Sequence, residues 1–228
     1  MIYENREQAG QQLAGELSEF RGTDTLVLAL PRGGVVVGYQ VAVRLNLALD
    51  VIVTRKIGAP GNPEYAIGAV SETGDVQLNN AEIAYLGIPT SYVSEEIAHQ
   101  RREIERRGAL YRGGRGRPNV TGRHVILVDD GIATGFTMFA SVRALRSESP
   151  AELVVAVPVA PPSTVRTLEA EVDRVVCPST PEPFMAVGAW YRHFDQVTDE
   201  EVRQYLRLAS NLPSPGGMQT TDQPGISP

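Results

Sequence analysis

The sequence predicts an α/β fold in which a central, mostly parallel β-sheet is flanked by helices. Short runs of branched apolar residues, such as 25–30 and 124–128, alternate with segments of helical periodicity, such as 35–45 and 136–146. Strands of a parallel sheet are buried on both faces and form continuous apolar runs, and the helices between them supply right-handed crossovers. Small-residue loops follow several strands. In such folds, ligands bind beyond the carboxyl ends of the strands.

Local signals set the bounds of the individual elements. The first helix has apolar side chains at helical spacing, two prolines at 161–162 start another, and Thr198 and Glu201 form a capping box for the last. Two glycines, two prolines and an asparagine predict a loop over 57–63, and a turn at 72–74 joins a two-stranded arm. In chain order we predict a helix at 4–20, a strand at 25–30, a helix at 35–45, a strand at 50–55, a loop at 57–63, antiparallel strands at 65–71 and 75–78, a helix at 91–112 capped by Ser91 or Ser94, a strand at 124–128, a helix at 136–146, a strand at 153–157, a helix at 161–170, a strand at 174–177 and a helix at 198–209.

Composition restricts the class of protein. With 228 residues, 42% of them hydrophobic, we expect one domain over 1–210, which includes the N-terminal helix and a small lobe at about 178–195 that we call the hood. A tail over 211–228, rich in Pro, Gly, Ser and Gln, is expected to be disordered. A net charge of −6 argues against non-specific nucleic-acid binding, and the chain has neither a long apolar run nor an apolar leader. One cysteine and three histidines make a structural zinc site improbable and fit a cytoplasmic location.

The segment 124–138 contains the strongest chemical signal. A buried strand ends in Asp129 and Asp130, the small-residue loop Gly131–Gly135 follows, and helical spacing begins at Phe136. Backbone N–H groups of such a loop, with the positive end of the following helix, can bind a phosphate. Two carboxylates beside a phosphate site are explained if they accept hydrogen bonds from sugar hydroxyls. The alternative is a parallel strand followed by an ordinary capped turn.

The run VILVDDGIATGFTM (125–138) resembles the 5-phosphoribosyl-1-pyrophosphate (PRPP) motif of type I phosphoribosyltransferases, and this resemblance implies their fold. In that family the acidic pair holds the ribose hydroxyls and the loop holds the 5-phosphate. The implied ribose and 5-phosphate site comprises Asp129, Asp130, Gly131, Ile132, Ala133, Thr134, Gly135, Phe136 and Thr137.

Two further segments are candidates for a pyrophosphate site. Arg32, Gly33 and Gly34 follow the first strand and offer a fixed cation and unobstructed N–H groups, although such a triplet also occurs in ordinary turns. The resemblance implies that this loop binds pyrophosphate and that the Pro31–Arg32 peptide is cis. Arg55 and Lys56, the only lysine beside 20 arginines, resemble the Arg-Lys that ends the corresponding strand in orotate and adenine members of the family. Their alternative is a surface position. The implied catalytic residues are Lys56, Arg32 and Asp130.

The hood segment provides candidate base-binding residues. Trp190, the only tryptophan, and Tyr191 resemble the base-binding segment of 6-oxopurine enzymes, and stacking on an aromatic ring selects a planar acceptor; the alternative is packing of the lobe. Ala133 departs from those enzymes, which have an aspartate there, so hypoxanthine and guanine are not expected. The arginines of 91–117 are read as a solvated helix face, with a basic rim for PRPP or nucleic acid as the alternative.

The resemblance therefore implies a phosphoribosyltransferase, a pentosyl transferase of nucleotide salvage that moves ribose 5-phosphate from PRPP to a nitrogenous base. Mg²⁺ is expected to be held mainly through PRPP, with no protein metal ligand. PRPP and a small base are the expected partners, without membrane or nucleic acid, and a homodimer is inferred by analogy. Two alternatives remain: a PRPP-sensing regulator that binds RNA or DNA and has lost the transfer activity, and a phosphoribohydrolase-like activity.

Overall fold

The computed structural model describes residues 1–211, which form seven α-helices and eight β-strands. Two short 3-10 helices occupy Ser18–Phe20 and Val187–Trp190. The helices and strands are α1 (Arg6–Gly15), β1 (Leu26–Ala29), α2 (Gly33–Leu45), β2 (Ala48–Val51), β3 (Thr54–Ala59), β4 (Asn62–Ser71), β5 (Val76–Leu78), α3 (Asn80–Tyr85), α4 (Thr90–Arg112), β6 (His124–Val128), α5 (Phe136–Ser147), β7 (Glu152–Ala156), α6 (Pro162–Glu169), β8 (Arg174–Val176) and α7 (Asp199–Ser210).

A five-stranded parallel sheet in the order β2-β1-β6-β7-β8 forms the centre of the molecule. Side chains alternate between its two faces, so each face has its own apolar core. Leu28 and Leu127 pack with α5 and α6 on one face, and Val27 and Ile126 pack with α1 and α2 on the other. This arrangement confirms the predicted fold class, an α/β sheet with helices on both faces. Because β6 is the middle strand, the residues after Val128 lie at the centre of the carboxyl edge.

The antiparallel arm (54–78) differs from its prediction. The predicted strand 50–55 is two strands in two sheets: the Ile52 N–H still donates to Ala29 of the main sheet (3.1 Å), whereas the Val53 carbonyl accepts from Glu72 of the arm (2.9 Å). The predicted loop 57–63 is also wrong, because β3 and β4 continue through it and join as a hairpin. β5 pairs with the far side of β4, so the arm has three strands instead of two.

Several helix bounds also differ from the predictions. The first helix ends at Gly15, earlier than residue 20, and a short helix at 80–85 was not predicted. The long helix α4 begins at Thr90 after Pro89 and has no side-chain cap, so the predicted serine cap is wrong. The predicted capping box of Thr198 and Glu201 is confirmed. Apart from its first residue, the expected tail 211–228 lies outside the described residues.

A buried ion-pair network connects the end of α4 to both sheets. Arg112 is 7% exposed, donates to both carboxylate oxygens of Glu72 (2.9 Å each), and contacts Asp50 Oδ1 (3.0 Å) and the Val51 carbonyl (2.6 Å). Arg117 also contacts Glu72, at 3.2 Å. Since Glu72 lies directly after β4 and Asp50 lies in β2, this network fixes the arm relative to the main sheet.

Candidate functional site

The acidic pair, Asp129 and Asp130, lies directly after the central strand β6. Arg6 Nε donates to Asp130 Oδ2 at 2.7 Å, and these two side chains are 11% and 14% exposed. The Asp130 N–H donates to Asp129 Oδ1 at 2.8 Å. Burial raises the pKa of both carboxyls; the charge of Asp130 raises the pKa of Asp129 further, whereas Arg6 opposes the rise at Asp130. The pair is therefore two adjacent, poorly solvated carboxylates with one cation beside them.

The 131–137 loop forms a small cavity next to this pair. Gly135, with φ of 79°, is the N-cap residue of α5. No side chain caps this helix, so its first N–H groups can bind an anion. The Ile132 N–H bonds to the Val159 carbonyl (2.9 Å), which fixes the base of the loop, while Ala133 and Thr134 are exposed. A cavity of about 140 Å³ is lined by Asp129 and by 131–138. This cavity has room for a phosphate group.

The 31–34 loop packs directly against the acidic pair. Its Pro31–Arg32 peptide is cis, as the sequence resemblance implied. A Cβ atom on Gly33 would lie 1.9 Å from Asp130 Oδ2, and one on Gly34 would lie 2.9 Å from the Asp129 Cα. Glycine is therefore required at both positions by close approach. The 31–34 loop and the acidic pair therefore lie together at the carboxyl edge of the sheet.

The Arg-Lys pair does not end a strand of the main sheet, which corrects the placement implied by the resemblance. Arg55 and Lys56 lie within β3 of the arm. Arg55 Nε donates to Gln100 Oε1 of α4 at 2.9 Å, and its pKa is lowered, first by burial and then by the charge of Arg107. Because side chains alternate along a strand, Lys56 lies on the opposite face together with Thr54. The Thr54 hydroxyl contacts Ser141 of α5 at 2.7 Å, so Lys56 is on the side of the 131–137 loop and Arg55 is not.

The hood residues occupy two different environments. Trp190 is partly exposed and its ring stacks on Phe184, with centroids 6.1 Å apart. Tyr191 is only 6% exposed, and its hydroxyl donates to the Asp130 carbonyl at 2.5 Å. Its ring contacts those of Tyr3 (5.5 Å) and Phe194 (5.0 Å), and burial followed by the charge of Asp130 raises its pKa. Tyr191 is therefore a buried residue that contacts the acidic pair, whereas Trp190 retains an exposed part.

Arg6 is a site residue that the sequence did not indicate. Besides its bond to Asp130, its Nη1 donates to the Asp195 carbonyl at 2.7 Å, and its guanidinium lies 3.8 Å from the centroid of the Phe194 ring. It lies 124 positions from Asp130 in the chain, in a polar helix without a recognisable motif. Only the tertiary structure brings these residues together.

Most arginines of the 91–117 segment have intramolecular partners. Arg106 and Arg107 both bind Glu103, whose pKa is lowered to about 2, first by the hydrogen bond from Arg106. Arg112 is buried in the network described above, and Arg117 binds Glu148 at 2.5 Å. These contacts support the interpretation of a self-paired helix face over that of a nucleic-acid surface.

Two features of the described residues bear on metals and membranes. Within 1–211, the structure has no group of three or more His, Cys, Asp or Glu side chains arranged to hold a metal ion. No helix of the same part of the chain is long and apolar enough to cross a lipid bilayer.

The structure thus defines an α/β domain with two glycine-bearing loops and an acidic pair at the carboxyl edge of a parallel sheet. Comparison with known proteins is more specific, because the family described as "Phosphoribosyl transferase domain" matches residues 1–189. The chain belongs to the phosphoribosyltransferase family.

Relatives are found among both curated proteins and solved structures. The Mycobacterium tuberculosis protein named "Putative phosphoribosyl transferase Rv0571c" is 40% identical over 208 residues, which cover 91% of this chain but 47% of the relative. The chain thus spans about half the length of the curated relatives it matches. The crystal structure of TT1426 from Thermus thermophilus is 46% identical, with a TM-score of 0.76, and the match covers 90% of this chain and 98% of that one.

Proposed function

We propose that this protein is a PRPP-dependent phosphoribosyltransferase that transfers ribose 5-phosphate to a nitrogenous base and releases pyrophosphate. The observation that carries the proposal is the contact of Gly33 and Gly34 with Asp129 and Asp130 beside the 140 Å³ cavity of the 131–137 loop. A phosphate cavity, two carboxylates and a glycine-bearing loop with a cation are the three parts that a phosphorylated sugar with a pyrophosphate group requires.

The proposed roles of the site residues follow the resemblance to the family, and the geometry described above supports them. N–H groups of the 131–137 loop and of the first turn of α5 bind the 5-phosphate. Asp129 and Asp130 accept hydrogen bonds from the ribose hydroxyls, and the 31–34 loop binds pyrophosphate through Arg32 and its N–H groups. Trp190 is the proposed stacking surface for the base, and the buried Tyr191 is proposed to support the acidic pair through its hydrogen bond to the Asp130 carbonyl.

The reaction breaks the bond between C1 and a pyrophosphate oxygen and forms one between C1 and a base nitrogen, which loses its proton. Positive charge develops at C1 while negative charge develops on the leaving group, much as in glycoside cleavage. The protein contributes by holding both reactants in line and by placing cations near the pyrophosphate. Arg32 and Lys56 are the proposed cations, whereas the contact of Arg55 with Gln100 gives it less access to the site.

The residues present fit a Mg²⁺ ion that arrives with the substrate. The described residues offer no cluster of three metal-ligating side chains, so PRPP oxygens would provide most of the ligands. When bound, the ion offsets the negative charge that the pyrophosphate gains on leaving.

The proposal is tested by calorimetric titration with PRPP and Mg²⁺, followed by an assay of pyrophosphate release with a panel of purine and pyrimidine bases. Asp130→Asn should weaken PRPP binding strongly, and Lys56→Ala should lower turnover more than affinity. Asp24→Asn serves as a matched control, because Asp24 has 77% side-chain exposure and lies at the other end of the sheet. Tight PRPP binding without release for any base would assign a PRPP-sensing regulator instead. Unchanged affinity in Asp130→Asn would contradict the site assignment.

The cellular location and the assembly are proposed as well: a cytoplasmic homodimer that uses PRPP and a small base, without nucleic acid. Light scattering during size-exclusion chromatography tests the dimer, and a monomer at working concentration would remove it from the proposal.

A further inference from the structure

Arg6 connects three separate parts of the chain at the acidic pair. It belongs to the first turn of α1, binds the carboxylate of Asp130, donates to the backbone of Asp195 and stacks on Phe194 of the hood. A Cβ atom on Gly33 would lie 2.9 Å from Arg6 Nε, so the pyrophosphate-side loop also touches this side chain. The contacts of Arg6 therefore reach both loops of the proposed PRPP site and the hood.

Arg6 is largely buried, and its partners at the acidic pair and in the hood compensate for this burial. A guanidinium that is 11% exposed has lost most of its hydration, and such groups are kept only where they are paired and hydrogen-bonded. Its hydrogen bond to Oδ2 restrains the position of the Asp130 carboxylate. Arginine suits this geometry because its planar group can stack on a ring while its edge donates in fixed directions.

We propose that Arg6 is a positioning residue that holds the Asp130 carboxylate in the orientation that accepts the ribose hydroxyls, and that links this carboxylate to the hood. The inference rests on the proposed function, since it assumes that Asp130 binds the ribose of PRPP. It adds the N-terminal helix to the set of elements on which substrate binding depends.

The electrostatic surroundings of Asp130 support this role. Asp130 is faced by Asp129 from the same loop, by Arg6 from α1 and by the Tyr191 hydroxyl from the hood. Glu201 of α7 lies near Arg6, whose charge helps to lower the pKa of Glu201. Arg6 is the cation that opposes the rise in the pKa of Asp130. Its removal should raise that pKa further, so that PRPP binding fails at a higher pH as the solution is acidified.

The experiment measures PRPP affinity with Mg²⁺ from pH 5 to pH 9 for the wild type, Arg6→Gln, Arg6→Lys and Arg192→Gln. Arg6→Gln should bind PRPP about tenfold or more weakly at neutral pH and should lose binding at a higher pH than the wild type on acidification. Arg6→Lys should bind PRPP more weakly, because lysine cannot stack as a planar group. It should lose binding at the same acidic pH as the wild type, because it retains the positive charge. Arg192→Gln is the matched control, since Arg192 is a hood arginine with a 3.6 Å ion pair and 70% exposure.

The outcomes separate the inference from the function on which it rests. A wild type that does not bind PRPP overturns both. A wild type that binds PRPP, with Arg6→Gln equal to it in affinity and in pH dependence, overturns only the role of Arg6. A loss of affinity in Arg6→Gln with an unshifted acid limb also overturns that role, because it indicates general damage to the fold. If Arg6→Gln does not fold, full affinity in Arg6→Lys would overturn it.

Discussion

Gly33→Ala is the substitution that most directly tests the contact between the two loops. An ideal Cβ would lie 1.9 Å from Asp130 Oδ2 and 2.7 Å from its Cγ, and contacts of a Cβ below 3.0 Å essentially never occur. The carboxylate or the 31–34 backbone must therefore move by at least about 1 Å, and the 2.7 Å bond to Arg6 would be distorted. A displacement of about 1 Å can lower a reaction rate by about 100-fold, and we expect the loss of affinity to stay within the same limit. We expect PRPP affinity to fall between about tenfold and 100-fold, which corresponds to about 1.4–2.7 kcal/mol.

Calorimetric titration with PRPP and Mg²⁺ measures the effect of Gly33→Ala, and thermal melting reports whether the fold is retained. Gly15→Ala is the matched control, because its Cβ would enter open space at the end of α1 and should leave PRPP affinity unchanged. The reasoning would be refuted if Gly33→Ala folded and bound PRPP as tightly as the wild type. That result would place the sugar away from Asp130.

Three further predictions concern stability. Arg112→Met leaves the 7%-exposed carboxylate of Glu72 with one arginine fewer and should lower the free energy of unfolding by about 3 kcal/mol, measured by urea denaturation; a loss below about 1 kcal/mol would contradict the proposed importance of the network. Ser141→Ala deprives the Thr54 hydroxyl of its buried partner and should cost about 1–3 kcal/mol in the same assay; no change would show that water replaces the bond. Glu103 has its pKa lowered in the folded state, so its stabilisation is present above pH 4.5 and is lost as the pH falls towards 2. The difference in melting temperature between the wild type and Glu103→Gln should accordingly be largest near neutral pH and vanish towards pH 2; a constant difference would refute this.

The main sheet could be predicted from the sequence because its strands are buried on both faces. Runs such as 125–128 and 153–157 are apolar without interruption, and the predicted strands 124–128 and 153–157 both lie in the parallel sheet with bounds that differ by at most one residue. The PRPP-like motif is equally local, since one stretch of 14 residues contains the strand end, the acidic pair, the loop and the helix start. Signals of this kind need no knowledge of the rest of the chain.

The division between the main sheet and the arm could not be predicted because Ile52 and Val53 are both fully buried. An apolar run does not show to which sheet each residue belongs, and here the hydrogen-bond partner changes between these two residues. The glycines and prolines of 57–63 led to the prediction of a loop where the structure has a hairpin. A Cβ atom on Gly58 would lie 2.7 Å from Pro63 across the hairpin, so the close approach of the two strands requires glycine there. From composition alone, the same glycine predicts a loop.

The role of Arg6 could not be predicted for a different reason. Its partners Asp130, Phe194 and Asp195 lie 124 or more positions away, and its own helix is polar with few apolar residues. Tyr191 was recognised as a hood aromatic, but its sequence neighbours do not indicate that its hydroxyl reaches the Asp130 carbonyl. Long-range contacts of this kind leave no local signature.

Residues 3–4 form a ladder with the hood: the Tyr3 N–H donates to the Trp190 carbonyl, and the N–H groups of Arg192 and His193 donate to Tyr3 and Glu4. The support behind the acidic pair therefore depends on two segments that lie far apart in the sequence, residues 3–4 and 190–193. All strands of the central sheet lie between these two segments, so the sheet can form while the support of the acidic pair is still incomplete. Deletion of residues 3–4 would remove this ladder, whereas Met1 and Ile2, which are both exposed, could be deleted without breaking it.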